Sequence, residues 1–148
     1  MIIETRDLNQ ARKLIEENFK KKNQVIVKAQ NPEFNRKILE NKKVDILLSP
    51  ELTEKDKLKE RGSGLNEVLC KIAAKNKTVI GIDLKEILKT KGKERAILLS
   101  RLIQNIKLCK RTATEIKIFP EKYNKKDLFS LLLTLGASTN QAKKAIEA

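Results

Sequence analysis

Residues 60–76, ERGSGLNEVLCKIAAKN, set Arg61 beside Gly62-Ser63-Gly64, immediately ahead of a helical pattern. A glycine turn opening a helix offers backbone N–H groups and the positive end of a helix dipole, which together bind phosphate. The spacing is not that of a Walker A loop, because the four-residue spacer and the Gly-Lys-Ser/Thr ending are missing. Nor does a G-x-G-x-x-G fingerprint follow a strand. Two readings stay open, and both can hold at once. The glycines permit a tight turn and close helix packing, or the turn binds one backbone phosphate with help from Arg61.

Other reactive constellations are sparse. The chain has no histidine, which removes His-based acid–base chemistry, Ser–His and Cys–His nucleophiles and the usual zinc sites. The C-terminal ends of the predicted strands offer Gln30, Asn31, Ser49, Glu51, Asp83 and Phe119-Pro120. One or two acids without His or a Cys cluster make a poor metal site, and Asp83 reads as an N-cap for the helix at Lys85. No nucleophile stands beside a partner base. The sequence therefore nominates no catalytic residue and no metal ligand. Cys70 and Cys109 fall on apolar helical stripes and read as buried free thiols of a reducing compartment.

Charge is the loudest global feature. Thirty-three Lys and Arg oppose nineteen Asp and Glu in 148 residues, a net charge of +14. Half of that excess lies between Ile87 and Thr114, where Lys89, Lys91, Lys93, Arg95, Arg101, Lys107, Lys110 and Arg111 face only Glu94. Such a segment implies a polyanionic partner. Four Phe and one Tyr are too few for a membrane-seeking aromatic face or for stacking on unpaired bases. Nucleic acid contacted through its phosphates and shape is the expectation. No apolar run approaches the roughly 18 residues of a membrane span, and MIIETRDLNQ lacks a basic-then-apolar leader. Both point to a cytoplasmic protein.

The elements that must position these residues alternate. DLNQARKLIEENF puts Leu8, Ala11, Leu14, Ile15 and Phe19 on one helical face, with Asp7 and Gln10 as a capping-box-like start. QVIVKA, VDILLSP, TVIGIDL and EIKIFP read as strands, with MIIE as a possible edge strand. Asn31 and Pro32 open a short helix. Ser63 or Gly64 stands where the next helix needs an N-cap, and its stripe is Leu65, Val68, Leu69, Ile72 and Ala73. After the short helix KEILKT, a long helix over about 94–111 carries the stripe Ala96, Leu99, Leu102, Ile103, Ile106 and Cys109. Asn124 caps a helix ended by Gly136, and Ser138 with Gln141 opens the last one. Nearly all-apolar VIV, DILL and VIGI read as strands buried on both faces, the signature of a parallel sheet with helices outside. A complete eight-strand barrel typically needs about 250 residues. The expectation is an α/β fold, a partial or distorted TIM-type barrel of parallel strands with outer helices, forming one truncated domain over residues 1–148.

The order of segments NRKILENKKVDILLSPEL, RGSGLNEVLCKIAAKN, VIGIDLKEILKT and the basic helix resembles archaeal ribonuclease P protein component three. This family is related to the thirty-kilodalton subunit of the eukaryotic enzyme. The resemblance runs from about Gln24 to Ala145. Its most specific parts are Asn35-Arg36, Val44-Asp45-Ile46-Leu47 with Pro50-Glu51, and Ser63-Gly64-Leu65 with Val68-Leu69. It implies a barrel related to phosphoesterases of the polymerase and histidinol phosphatase (PHP) type with the metal site lost. It also implies a subunit of an RNA-based enzyme that removes the 5′ leader from precursor tRNA, with the catalytic groups and Mg²⁺ on the RNA and no cofactor on the protein. The implied partners are ribonuclease P RNA, a Pop-five-type protein subunit in a two-by-two assembly through which this chain would pair with itself, and precursor tRNA indirectly. The chain departs from the family pattern at Asn66-Glu67, where Asp-His is usual, and at Pro120-Glu121-Lys122-Tyr123, in place of a serine-rich turn. The family's first strand–helix units are also expected to be missing.

Together, charge and resemblance nominate Arg36, Lys37, Arg61, Arg95, Arg101, Lys107, Lys110 and Arg111 as phosphate contacts, with Arg101 and Lys107 alternatively facing the partner protein. Asn35, Ser63 and Asn66 either donate hydrogen bonds to RNA or hold their loop. The rivals are a metal-dependent phosphoesterase that kept the ancestral chemistry and a basic module that docks on an acidic protein.

Overall fold

The computed structural model describes residues 1–53, 55–56, 58–59, 61–120 and 122–147. Five strands occur where five were expected: β1 (Ile2–Ile3), β2 (Ile26–Lys28), β3 (Ile46–Leu48), β4 (Val79–Asp83) and β5 (Ile116–Phe119). They form one sheet in chain order, every neighbouring pair parallel. Parallel neighbours need crossovers. Helices α1 (Leu8–Lys20), α2 (Pro32–Glu40) and α3 (Glu67–Lys75) lie in the first three, and α4 (Leu84–Lys89) with α5 (Gly92–Thr112) in the last. Helices α6 (Lys125–Thr134) and α7 (Thr139–Ile146) follow β5. This is an arc of a TIM-type barrel.

Side chains alternate across a strand, and the register sorts them. Ile3, Val27, Leu47, Ile80, Ile82, Ile116 and Ile118 share the helix-covered face and join the main core. Fully burying each such side chain is worth about 1.5–3 kcal/mol. The opposite face is buried only in its middle, at Ile46, Leu48 and Gly81; Gly81 lies so close to the other two that a Cβ there would stand 2.9 Å from each. Toward the margins Ile26, Val79 and Phe119 are half-buried and Ile2 is 48% exposed. Burial on both faces, expected of three strands, thus holds fully only for β3, because the arc leaves its second face partly open.

Local signals account for most helix starts. Asn31, Asp83 and Asn124 cap α2, α4 and α6, and Ser138 with Gln141 forms a complete capping box on α7. Asp7 caps α1 through the Asn9 N–H, but Gln10 bonds Thr5 instead of closing a box. The cap of α3 is corrected: it is Asn66, whose Oδ1 accepts the Leu69 N–H at 2.8 Å, and not Ser63 or Gly64. Asn66→Ala should cost about 1 kcal/mol, read as a shifted urea midpoint at unchanged slope; an unmoved midpoint would remove this role.

Three apolar stripes are also corrected: on α3, Val68 is 56% exposed and Cys70 is buried instead. On α5 the buried positions are Leu98, Leu102, Asn105, Ile106 and Cys109, while Ile103 is 45% exposed and Ala96 is exposed. On α1 Asn18 is buried, its Nδ2 donating to the Leu14 carbonyl, and Phe19 is exposed. In α1 and α5 a polar residue with a carbonyl partner displaces an apolar one from the core-facing side. Cys70 and Cys109 are free and buried, as expected.

Candidate nucleic-acid interface

Helices α2, α3 and α5 pack side by side as an outer layer. The basic candidates distribute unevenly over it. On α5, Lys107, Lys110 and Arg111 are exposed and bond no described side chain or backbone group. Lys110 and Arg111 occupy the last helical turn, where cations also suit the helix dipole. On α2, Lys37 is exposed and free among the described residues, while Arg36 reaches Glu40 one turn on, at 3.2 Å. Arg95 sits at the start of α5 and donates Nη2 to the Leu88 carbonyl at 3.2 Å.

Arg61 and Arg101 are engaged differently. Both converge on Asp56, which sequence reading overlooked: Arg61 Nη1 lies 2.7 Å from Oδ2, and Arg101 Nε and Nη2 each lie 3.2 Å from Oδ1. The Gly62 N–H donates to the same carboxylate at 2.7 Å. That bond first, and then the two guanidinium groups, hold the Asp56 carboxyl below its ordinary range against a partial loss of hydration. No sequence pattern joins residues 45 positions apart.

The loop before α3 is fastened to α5 by one helical face. Arg101 Nη1 donates to the Glu51 carbonyl, Gln104 Nε2 to the Arg61 carbonyl and Ser63 Oγ, and Asn105 Nδ2 to the Ser63 carbonyl at 2.9 Å. Positions i, i+3 and i+4 share a helix face, so three polar side chains reach one loop. Ser63 is 1% exposed and its backbone N–H is spent on Arg61. Asn35 is fully buried, bonding the N–H and carbonyl of Gln30 at 2.7 and 3.0 Å. With Asn66 used as a cap, all three amide and hydroxyl candidates hold backbone. The Gly-Ser-Gly turn accordingly lies ahead of the helix rather than at its N-terminus, with the Gly62 N–H spent on Asp56 and the Ser63 N–H on the Arg61 carbonyl.

The strand ends offer other chemistry little. A cleft of about 710 Å³ opens among Glu4, Arg6, Lys28, Gln30, Asn31 and Thr53, where Lys28 pairs with Glu4. Asp83 is occupied as a cap and Glu86 by Lys89. Glu51 is buried, with Oε2 unpartnered, and its carboxyl is pushed up to about 8, by burial first, with Asp83 and Glu86 adding to it and a bond to its own backbone and then Arg101 opposing. Among the described residues no three His, Cys, Asp or Glu lie together to hold a metal. This donor set does not fit the metal site of a PHP-type phosphoesterase. No described helix is long and apolar enough to cross a membrane.

The family model of RNase P subunit p30 matches residues 1–148. Ribonuclease P protein component 3 of Methanosarcina mazei is 35% identical over 112 residues, covering 76% of this chain and 44% of the relative. That of Methanosarcina acetivorans is 38% identical over 109 residues, covering 66% of this chain and 43% of the relative. The chain spans about half the length of the curated relatives it matches. A chain in the cryo-EM structure of archaeal ribonuclease P with mature tRNA superposes with a TM-score of 0.79 at 30% identity, covering 98% of this chain and 62% of that one.

Proposed function

We propose, since the chain belongs to the RNase P subunit p30 family, that it is a non-catalytic protein subunit of ribonuclease P. Its outward cations neutralise crowded phosphates of the catalytic RNA, lower the Mg²⁺ that the RNA needs, and steady the fold that removes the 5′ leader from precursor tRNA. The metal and the bond-breaking groups belong to the RNA. The chain works in the cytoplasm beside a Pop-five-type subunit, and its contact with precursor tRNA is indirect. The observation that carries this reading is the exposed set Lys107, Lys110 and Arg111 on one end of α5, free among the described residues, supported by Arg36, Lys37 and Arg95 on the same outer layer.

Binding of this kind depends on counterion release. Replacing Lys107, Lys110 and Arg111 together by Ala should flatten the log–log salt dependence of binding to ribonuclease P RNA by roughly 2 to 3. In reconstituted precursor-tRNA cleavage, omitting the chain should raise the Mg²⁺ requirement. An unchanged salt slope would refute the contact assignment. Cleavage by the protein alone with Mn²⁺ or Zn²⁺ would replace the reading with the phosphoesterase one.

A further inference from the structure

The Asp56 cluster has an unusual economy. One carboxylate, with only 27% of its side chain exposed, receives two guanidinium groups and a backbone N–H. Arg101 is the more enclosed, its side chain 17% exposed and its Nη1 on the Glu51 carbonyl. Arg61 is 39% exposed, with Nη1 on Asp56 and the rest of its planar fork unbonded among the described residues. Its own backbone carbonyl accepts from Gln104 Nε2 at 3.3 Å. The cluster therefore keeps a net positive charge and presents it in one fixed orientation.

A partly exposed ion pair contributes little to stability. Its consequence for binding is different. Arg carries large rotamer entropy, and a fork already held in place loses less of it when it meets a phosphate. We propose that Asp56 is a positioning residue: it pre-orders Arg61, braced by Arg101, as a phosphate-binding fork of the RNA interface. This rests on the RNA-binding reading above. Its signature is counterintuitive, because removing a negative charge from a protein that binds a polyanion should tighten binding through long-range attraction. Loss of pre-organisation should loosen it.

The test compares variants in a salt-stepped gel shift with ribonuclease P RNA. Asp56→Asn should bind roughly threefold to tenfold more weakly than wild type, although it is one unit more positive. Glu17→Gln, an equal charge change on the exposed face of α1, should bind no more weakly than wild type. Asp56→Glu, which restores the carboxylate, should recover part of the loss. In an Arg61→Gln background, Asp56→Asn should have little further effect, as a double-mutant cycle requires of residues that act as one unit. Arg101→Lys keeps the charge without the fork and should also weaken binding, which serves if Asp56→Asn folds poorly. Binding by Asp56→Asn or Arg101→Lys equal to or tighter than wild type would overturn the proposal while leaving RNA binding intact. So would an undiminished Asp56→Asn effect without Arg61. A wild-type chain that fails to bind RNA in dilute buffer would instead sink the reading beneath it.

Discussion

Glu51→Gln should abolish a fall in stability that the wild-type protein shows between about pH 4.5 and pH 8. Glu51 is 1% exposed, and its carboxyl is pushed from 4.5 up to about 8 by burial first, with Asp83 and Glu86 adding to it, while a bond to its own backbone and then Arg101 oppose. Across that window the folded protein keeps a proton that the unfolded chain has released. The stabilisation is complete below the unfolded value and disappears as pH rises through the folded one. A pKa shift is worth about 1.4 kcal/mol per unit, so the loss over the window is on the order of 4–5 kcal/mol. Glutamine keeps the shape and cannot ionise. The variant should match wild type near pH 5 and exceed it clearly at pH 9 in urea denaturation. Glu16 and Asp56, lowered by Lys43 and by the Gly62 N–H with the two arginines, add stability above their unfolded values that is lost in acid. Maximum stability should therefore lie near pH 5. Parallel pH profiles for variant and wild type would show that Glu51 is not the source.

Gly64→Ala should be the most damaging small substitution in the chain. Its φ is +80°, and a Cβ there would stand 1.9 Å from the Pro50 carbonyl oxygen and 2.8 Å from Thr53 Oγ1. That carbonyl cannot swing aside freely, because it accepts from the Thr53 hydroxyl and backbone N–H in the 3-10 turn Pro50–Leu52. Left-handed strain and overpacking against backbone together should cost roughly 2–5 kcal/mol. Gly92→Ala and Gly136→Ala provide the comparison. Both have positive φ, +54° and +100°, with nothing within 4 Å of the added atom. They should cost only the strain, roughly 1–2 kcal/mol. Equal urea midpoints for all three would show that the close approach of Gly64 to Pro50 does not matter.

These two sites explain what the opening glycines do. Gly62 and Gly64 fold the loop onto its own backbone at Lys55 and Pro50, and α5 then fastens it through Arg101, Gln104 and Asn105. Of the two readings open at the start, close packing describes the glycines, while the helix N-terminus belongs to Asn66. Arg61 remains at the surface, aimed by Asp56.

The sequence by itself determined five strands, that they are parallel, seven helices in the described chain, most caps and the concentration of charge on and around α5. These are properties of neighbours along the chain: apolar periodicity, a side-chain oxygen within three residues of an N–H, the count of Lys against Glu. The resemblance to the ribonuclease P component was equally legible. Only the tertiary structure decided which cations are free. Arg101 and Lys107 are alike in a sequence, yet one is clamped by a carboxylate 45 positions away and the other is unpaired among the described residues. Only packing decided that α5 turns Asn105 inward and Ile103 outward, since a buried amide is tolerated solely where a carbonyl, here that of Ser63, comes to meet it. The same holds for Glu51, whose proton affinity is set by the elements that close over it.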